Sequence, residues 1–170
     1  MIGGYRLRSV STLNLKNNFW DDRRITPLKK ERQGASACYL DGHLYVIGGF
    51  NSNGAPEMKF LRLNTNAFGR PMWKQIYFPF QVGQFVSLCH FSDHEIAIVG
   101  QTSISVIDIR KDSESCKVEF KCTDPSESPI IEAVMLFPGQ IIFSKRETNL
   151  DSHRIFMWRR EQSDVDFLFY

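Results

Sequence analysis

The chain has 170 residues, 42% hydrophobic and 13% aromatic, with 14 Phe; that suffices for one domain with a real core and is rich in flat side chains that suit pleated sheets. Its 21 basic and 19 acidic side chains leave a net charge of +2, without the basic excess of a dedicated nucleic-acid surface. No uniform run of about 18 apolar residues offers a transmembrane helix, and Met1–Arg8 lacks the apolar stretch of a signal peptide. The four cysteines, Cys38, Cys89, Cys116 and Cys122, form no CxxC pair. If Cys116 and Cys122 lie on one extended strand they are roughly 20 Å apart, too far for a bridge. Four free thiols fit a reducing compartment, so the expected location is cytoplasmic, with no membrane and no nucleic acid among the partners.

In chain order, Met1-Ile2-Gly3-Gly4-Tyr5 ends an apolar strand on a glycine pair, and Ser9–Leu15 and Trp20–Ile25 follow as short strands. The clearest unit comes next: Tyr39-Leu40-Asp41-Gly42-His43-Leu44-Tyr45-Val46-Ile47-Gly48-Gly49-Phe50. Asp-Gly between two apolar runs predicts a hairpin, because both turn positions need positive φ. The glycine pair closes the second strand where the backbone bends or meets a neighbour closely. Met58–Leu63 and Trp73–Phe78 read as third and fourth strands. A third copy runs from Cys89 to Gln101 with one Gly, followed by Ser103–Ile109 and Lys117–Thr123; Asp124–Pro129 reads as a polar linker. A fourth copy spans Val134–Ser144 about a Pro138-Gly139 turn, then His153–Arg159 and Val165–Tyr170. Asn14, Asn64 and Asp108 fall at matching spots, where such side chains turn the chain by bonding nearby backbone. Successive copies lie roughly 45 to 52 residues apart, near the repeat length of some propeller blades. Each copy reads as four antiparallel strands, one blade, and no long amphipathic helical pattern interrupts them.

The unit Arg32-Gln33-Gly34-Ala35-Ser36-Ala37, then Asp41-Gly42-His43-Leu44-Tyr45-Val46-Ile47-Gly48-Gly49, resembles the kelch repeat, with Trp20 and Trp73 at the position of the family's Trp and Leu13 and Leu63 in place of its Tyr. The resemblance is specific in Arg32–Trp73 and decays after Gly100, where the Gly pair and the aligned Trp are both missing. It implies an all-β fold: a kelch-type β-propeller segment of four-stranded antiparallel blades, forming an incomplete ring of about three and a half blades. The whole of residues 1–170 is then one propeller segment, with approximate units 1–30, 31–80, 81–124 and 125–170. No strand is left to complete the first blade, so the expected setting is a longer protein that supplies the missing blades, or an arc that closes by self-association. The exposed strand edges of such an arc predict poor solubility for this segment expressed alone.

The resemblance also implies a non-catalytic module that binds a protein or peptide through loops after the second strand and between blades. Carried over position by position, these are Tyr5, Phe50 and Gln101 after the second strand, Arg32 and Gln33 before the first, Asn51 and Asn53 extending the first loop, and Gln84 in the interblade loop of the next unit. Arg offers a rigid fork for a carboxylate; Gln and Asn bond a peptide backbone. The competing expectation is that Arg32 bonds backbone between blades, and that Tyr5 and Phe50 pack there. Copper oxidases of the galactose oxidase type share the fold and are the enzymatic alternative; a cytoskeleton-associated structural arc is the other. Kelch proteins include actin binders and ubiquitin-ligase adaptors. No cofactor is expected. His43, His90, His94 and His153 form no convergent ligand set: His90 and His94 have a helical metal spacing, but the Ser92-Asp93 turn between them breaks any helix. No Gly-x-Ser-x-Gly elbow appears.

Overall fold

A computed structural model gives the structure of the protein and describes residues 1–77, 86–100, 103–110, 117–121, 130–137, 140–146, 153–160 and 165–169. They form strands, turns and irregular segments, with no helix among the described residues. The chain divides into two compact units, Met1–Tyr77 and Phe78–Tyr170.

In the first unit, β1 (Thr12–Asn14) and β2 (Phe19–Asp21) form a two-stranded sheet, and β3 (Ser36–Leu40), β4 (His43–Ile47), β5 (Phe60–Asn64) and β6 (Lys74–Ile76) form a four-stranded one in that order. The second unit holds two more four-stranded sheets. One is β7 (Ser87–Ser92), β8 (Glu95–Val99), β9 (Ser103–Asp108) and β10 (Lys117–Lys121); the other is β11 (Ile130–Phe137), β12 (Gln140–Arg146), β13 (His153–Arg159) and β14 (Val165–Phe169). Every pairing is antiparallel and every sheet is a meander of consecutive strands. The three four-stranded sheets are antiparallel sheets of the kind expected, whereas the first copy forms a two-stranded sheet, with Ile2 joined to Val10 by an isolated bridge.

Local chemistry explains the strand ends. Asp41 (φ 46) and Gly42 (φ 69) make the hairpin turn of β3 and β4 with both central residues in the left-handed region, which matches the twist of the flanking strands. Thr65 pins that turn, its N–H and Oγ1 both donating to the Gly42 carbonyl at 2.9 and 2.8 Å. The three matched Asn and Asp positions do the same job. Asn14 accepts from the Lys16 N–H at 3.0 Å, Asn64 from the Asn66 N–H at 2.9 Å and Asp108 from the Arg110 N–H at 3.1 Å. The strand expected over Trp20–Ile25 stops at Asp21, because its carboxylate accepts the Arg23 N–H at 2.8 Å and bends the chain. Ile25 then turns inward and is buried.

Each unit has its own core. In the first, Val46 and Leu63 on the four-stranded sheet meet Val10, Ile25, Leu28 and Trp73. Trp73 donates its indole N–H to the Thr26 carbonyl at 2.7 Å, so its polar tip is satisfied while its rings are buried. Trp20 sits on the two-stranded sheet, opposite Leu13, and is 54% exposed; the two matched tryptophans therefore play different parts. In the second unit, Cys89, Phe91, Ala97, Val99, Ile104 and Val106 of one sheet pack on Ile141, Phe143 and Trp158 of the other. Phe91 stacks on Trp158 with ring centroids 5.7 Å apart.

Candidate functional site

The chain leaves β4 through Gly48 and Gly49, both at positive φ. A Cβ at Gly49 would lie 2.9 Å from the Gln33 carbonyl oxygen and 3.0 Å from the Ala35 nitrogen, so the end of β4 can lie against the segment that leads into β3 of the same sheet only if this residue has no side chain. From there residues 50–57 form a closed loop. Phe50 and Gln33 exchange two backbone hydrogen bonds, at 2.8 and 2.9 Å. The Asn51 carboxamide oxygen accepts the N–H groups of Asn53 and Ala55 at 2.9 and 3.0 Å, while its own N–H donates to the Ala55 carbonyl at 2.9 Å. The Glu57 N–H returns to the Gly49 carbonyl at 2.8 Å, and the Ser52 N–H donates to the Glu31 carboxylate at 3.1 Å. The loop is thus held by its own polar groups and fastened to 31–33.

Beneath it lies Arg32, 2% exposed. Its guanidinium donates to the carbonyls of Gly48 at 2.9 Å, Glu57 at 3.4 Å and Lys59 at 2.8 Å. Burial lowers its pKa, and the nearby Glu57 carboxylate works in the opposite direction. Glu57 is itself buried and takes the Lys30 ammonium at 2.7 Å, which compensates the charge taken out of water.

A second loop, residues 3–8, runs along the other side of the same segment. The Gly4 N–H donates to the Arg32 carbonyl at 3.1 Å, the Arg32 N–H to the Leu7 carbonyl at 3.4 Å, and the Leu28 N–H to the Arg8 carbonyl at 2.8 Å. Tyr5 is 66% exposed, with the Arg6 guanidinium 5.2 Å from its ring centroid. The backbone of 28–33 is therefore the spine of the site, with one loop on each side.

Of the positions read from the sequence, Tyr5, Gln33 and Asn53 are exposed on this surface, and Phe50 and Asn51 are half-buried in it. Arg32 is at its centre but faces inward, bonded to backbone. Gln84 and Gln101 lie outside the described residues, as do Cys116 and Cys122. Lys30, Glu31 and Glu57 organise the loops and were not singled out in the sequence. A charged residue in a loop is ordinarily solvated, and nothing local marks these three as partners of a loop and a buried arginine.

Residues 31–57 match the family model of the Kelch motif. Over these residues the chain carries a kelch motif. The matched stretch begins at Glu31, which holds the Ser52 amide, and ends at Glu57, which lies beside Arg32, so the motif takes in the end of the spine and the 50–57 loop fastened to it. Over 103 residues, 59% of this chain, it is 29% identical to an F-box/kelch-repeat protein of Arabidopsis thaliana. The aligned part covers 23% of that protein, so the chain spans about a quarter of the length of the relative it matches.

Away from the loops, His43 Nδ1 is 2.7 Å from the Asp41 carbonyl oxygen and belongs to the hairpin turn. Among the described residues, no group of three or more His, Cys, Asp or Glu is placed to hold a metal ion, Cys38 and Cys89 form no disulfide, and no helix is long and apolar enough to cross a membrane.

Proposed function

We propose that this chain is a non-catalytic protein-interaction module that takes its partner on the paired loops 3–8 and 50–56. The observation that carries this reading is the division of labour between buried and exposed side chains. Arg32, Glu57, Asn51 and the glycine pair spend their bonding capacity on the loops themselves. Tyr5, Gln33 and Asn53 are left outward on a backbone that is already ordered. A preorganised loop loses little conformational entropy when a partner binds, which favours recognition. Gln and Asn amides suit a peptide backbone, and Tyr supplies contact area at low entropic cost. Arg32 acts here as a positioning residue, through the loop it holds.

The test is site-directed photo-crosslinking in cells, with a photoreactive amino acid placed either at Asn53 or at Asp41, in the turn at the other end of β4. The expected result is a discrete crosslinked partner from Asn53 and none from Asp41. Its affinity for the purified chain should fall about tenfold or more in the triple variant Tyr5→Ala, Gln33→Ala, Asn53→Ala. A partner captured equally from both positions, or bound equally well by the triple variant, refutes this surface.

A further inference from the structure

The two loops and their spine carry a charge out of proportion to the rest of the chain. Residues 4–8, 28–35 and 48–59 contain six basic residues, Arg6, Arg8, Lys29, Lys30, Arg32 and Lys59, and two acidic ones, Glu31 and Glu57, a net of +4 where the whole chain has +2. The two acids are already engaged, Glu57 by Lys30 at 2.7 Å and Glu31 by the Ser52 amide at 3.1 Å. Arg32 is buried against three carbonyls. That leaves Arg6, Arg8, Lys29 and Lys59 exposed and without an acidic partner among the described residues.

Backbone bonds keep most of these charges together. Loop 3–8 is tied to Leu28 and Arg32, and the Lys59 carbonyl is tied to the Arg32 guanidinium. Like charges tied to one ordered spine raise the local positive potential, and an opposite charge brought among them is attracted to it.

We propose that the partner segment taken by these loops is an acidic peptide, its carboxylates meeting Arg6, Arg8 and Lys29 while Gln33 and Asn53 bond its backbone. The proposal rests on the interaction surface argued above and adds the chemistry of the occupant. A polynucleotide fits the same charge less well. The Arg6 guanidinium lies over the Tyr5 ring, where a base would stack, and the spine carries the Glu31 carboxylate, which repels phosphate. Carboxylates spaced along a peptide can pair with the outer cations and avoid Glu31.

The experiment pans a random twelve-residue phage-displayed peptide library on the intact chain. A synthesised enriched peptide is then titrated into the wild type, the charge-reversed variant Arg6→Glu, Lys29→Glu, and the amide variant Gln33→Ala, Asn53→Ala, with thermal melts confirming that both variants fold. The expected result is enrichment of Asp and Glu. Charge reversal should weaken binding about tenfold at low salt, mainly through a slower association rate, with the difference shrinking at high salt. Enriched peptides that lack acidic residues but need Gln33 and Asn53 overturn the acidic occupant and leave the interaction surface standing. No enrichment, or peptides indifferent to both variants, overturns the surface and the occupant together. Tighter binding of an oligothymidylate, lost in the charge-reversed variant, overturns the peptide in favour of a polynucleotide.

Discussion

The Arg32 guanidinium donates a 2.9 Å hydrogen bond to the Gly48 carbonyl, sixteen residues along the chain, across the opening of the sheet they both border. Its other two bonds reach Glu57 and Lys59, so one side chain holds the end of β4, the end of the 50–57 loop and the approach to β5. The planar fork makes this possible, since its donors diverge in fixed directions toward separate acceptors. The residue most tempting to assign to partner contact thus shapes the contact surface from below.

Arg32→Ala is expected to lower stability by about 3 kcal/mol, because three carbonyls lose a charged donor in a buried site. Arg32→Lys should recover only part of this, since a single ammonium cannot reach all three acceptors. Urea unfolding measures both variants, and limited proteolysis should show residues 50–57 cut first. Equal stability of wild type and Arg32→Ala would remove Arg32 from the centre of the site.

Two glycines at similar φ separate conformational strain from steric conflict. Gly49 (φ +85) would place a Cβ 2.9 Å from the Gln33 carbonyl oxygen, whereas Gly54 (φ +74) has nothing within 4 Å. Gly54→Ala should cost about 1 kcal/mol from the left-handed backbone alone. Gly49→Ala should cost about 2 kcal/mol more, as the bridge between Phe50 and Gln33 is pushed apart. Equilibrium denaturation of the two variants gives the difference directly, and equal costs would mean that the close approach of Gly49 to the spine has no energetic weight.

The tryptophans give a similar pair. Trp73 is buried and bonded to the Thr26 carbonyl at 2.7 Å, while Trp20 is 54% exposed. Trp73→Ala is expected to cost about 4 kcal/mol and Trp73→Phe about 1 to 2 kcal/mol, the latter reflecting the stranded Thr26 carbonyl and the lost ring. Trp20→Ala should stay within about 0.5 kcal/mol. Thermal melts with intrinsic fluorescence report all three. A large loss at Trp20 would show that the two-stranded sheet supports the first core more than its exposure implies.

What could be read in advance was what local rules determine. The positive φ at Asp41 and Gly42 follows from a two-residue hairpin. The turns at Asn14, Asn64 and Asp108 follow from short polar side chains that reach the amide two residues on. The strand rhythm of the second unit was legible even where its glycines and tryptophans had drifted, because alternation and turn spacing survive such exchanges. The burial of Arg32 and the engagement of Lys30, Glu31 and Glu57 depend on which loop lies over which. Charge type alone does not distinguish a solvated side chain from one folded under a loop, and the different fates of Trp20 and Trp73 have the same origin.

Acid should loosen the second unit through Glu95 and Asp108. Arg160 reaches from the end of β13 to the Glu95 carboxylate on β8 with bonds of 3.0 and 3.1 Å, and its guanidinium lies 4.6 Å over the Phe91 ring. Burial pushes the Glu95 pKa up, but the bonds from Arg160 and from the Ser92 hydroxyl, with the Arg160 and His94 charges, bring it below its ordinary value. Asp108 is held well below the usual carboxylate range, chiefly by the two side-chain bonds from Arg110 at 3.0 and 2.9 Å. Each is a carboxylate whose folded pKa is depressed. Its stabilising contribution is complete above the unfolded value, about 4, and is lost as pH falls through the folded value. Stability should therefore be flat in this respect from neutral pH down to about 5 and decline below it. Glu95→Gln should flatten part of that decline, because it removes one of the protons taken up on unfolding and the ion pair that joins the two sheets. Urea midpoints measured across the acid range give the slopes, and an unchanged slope in Glu95→Gln would show that the Arg160 bonds do not couple to folding.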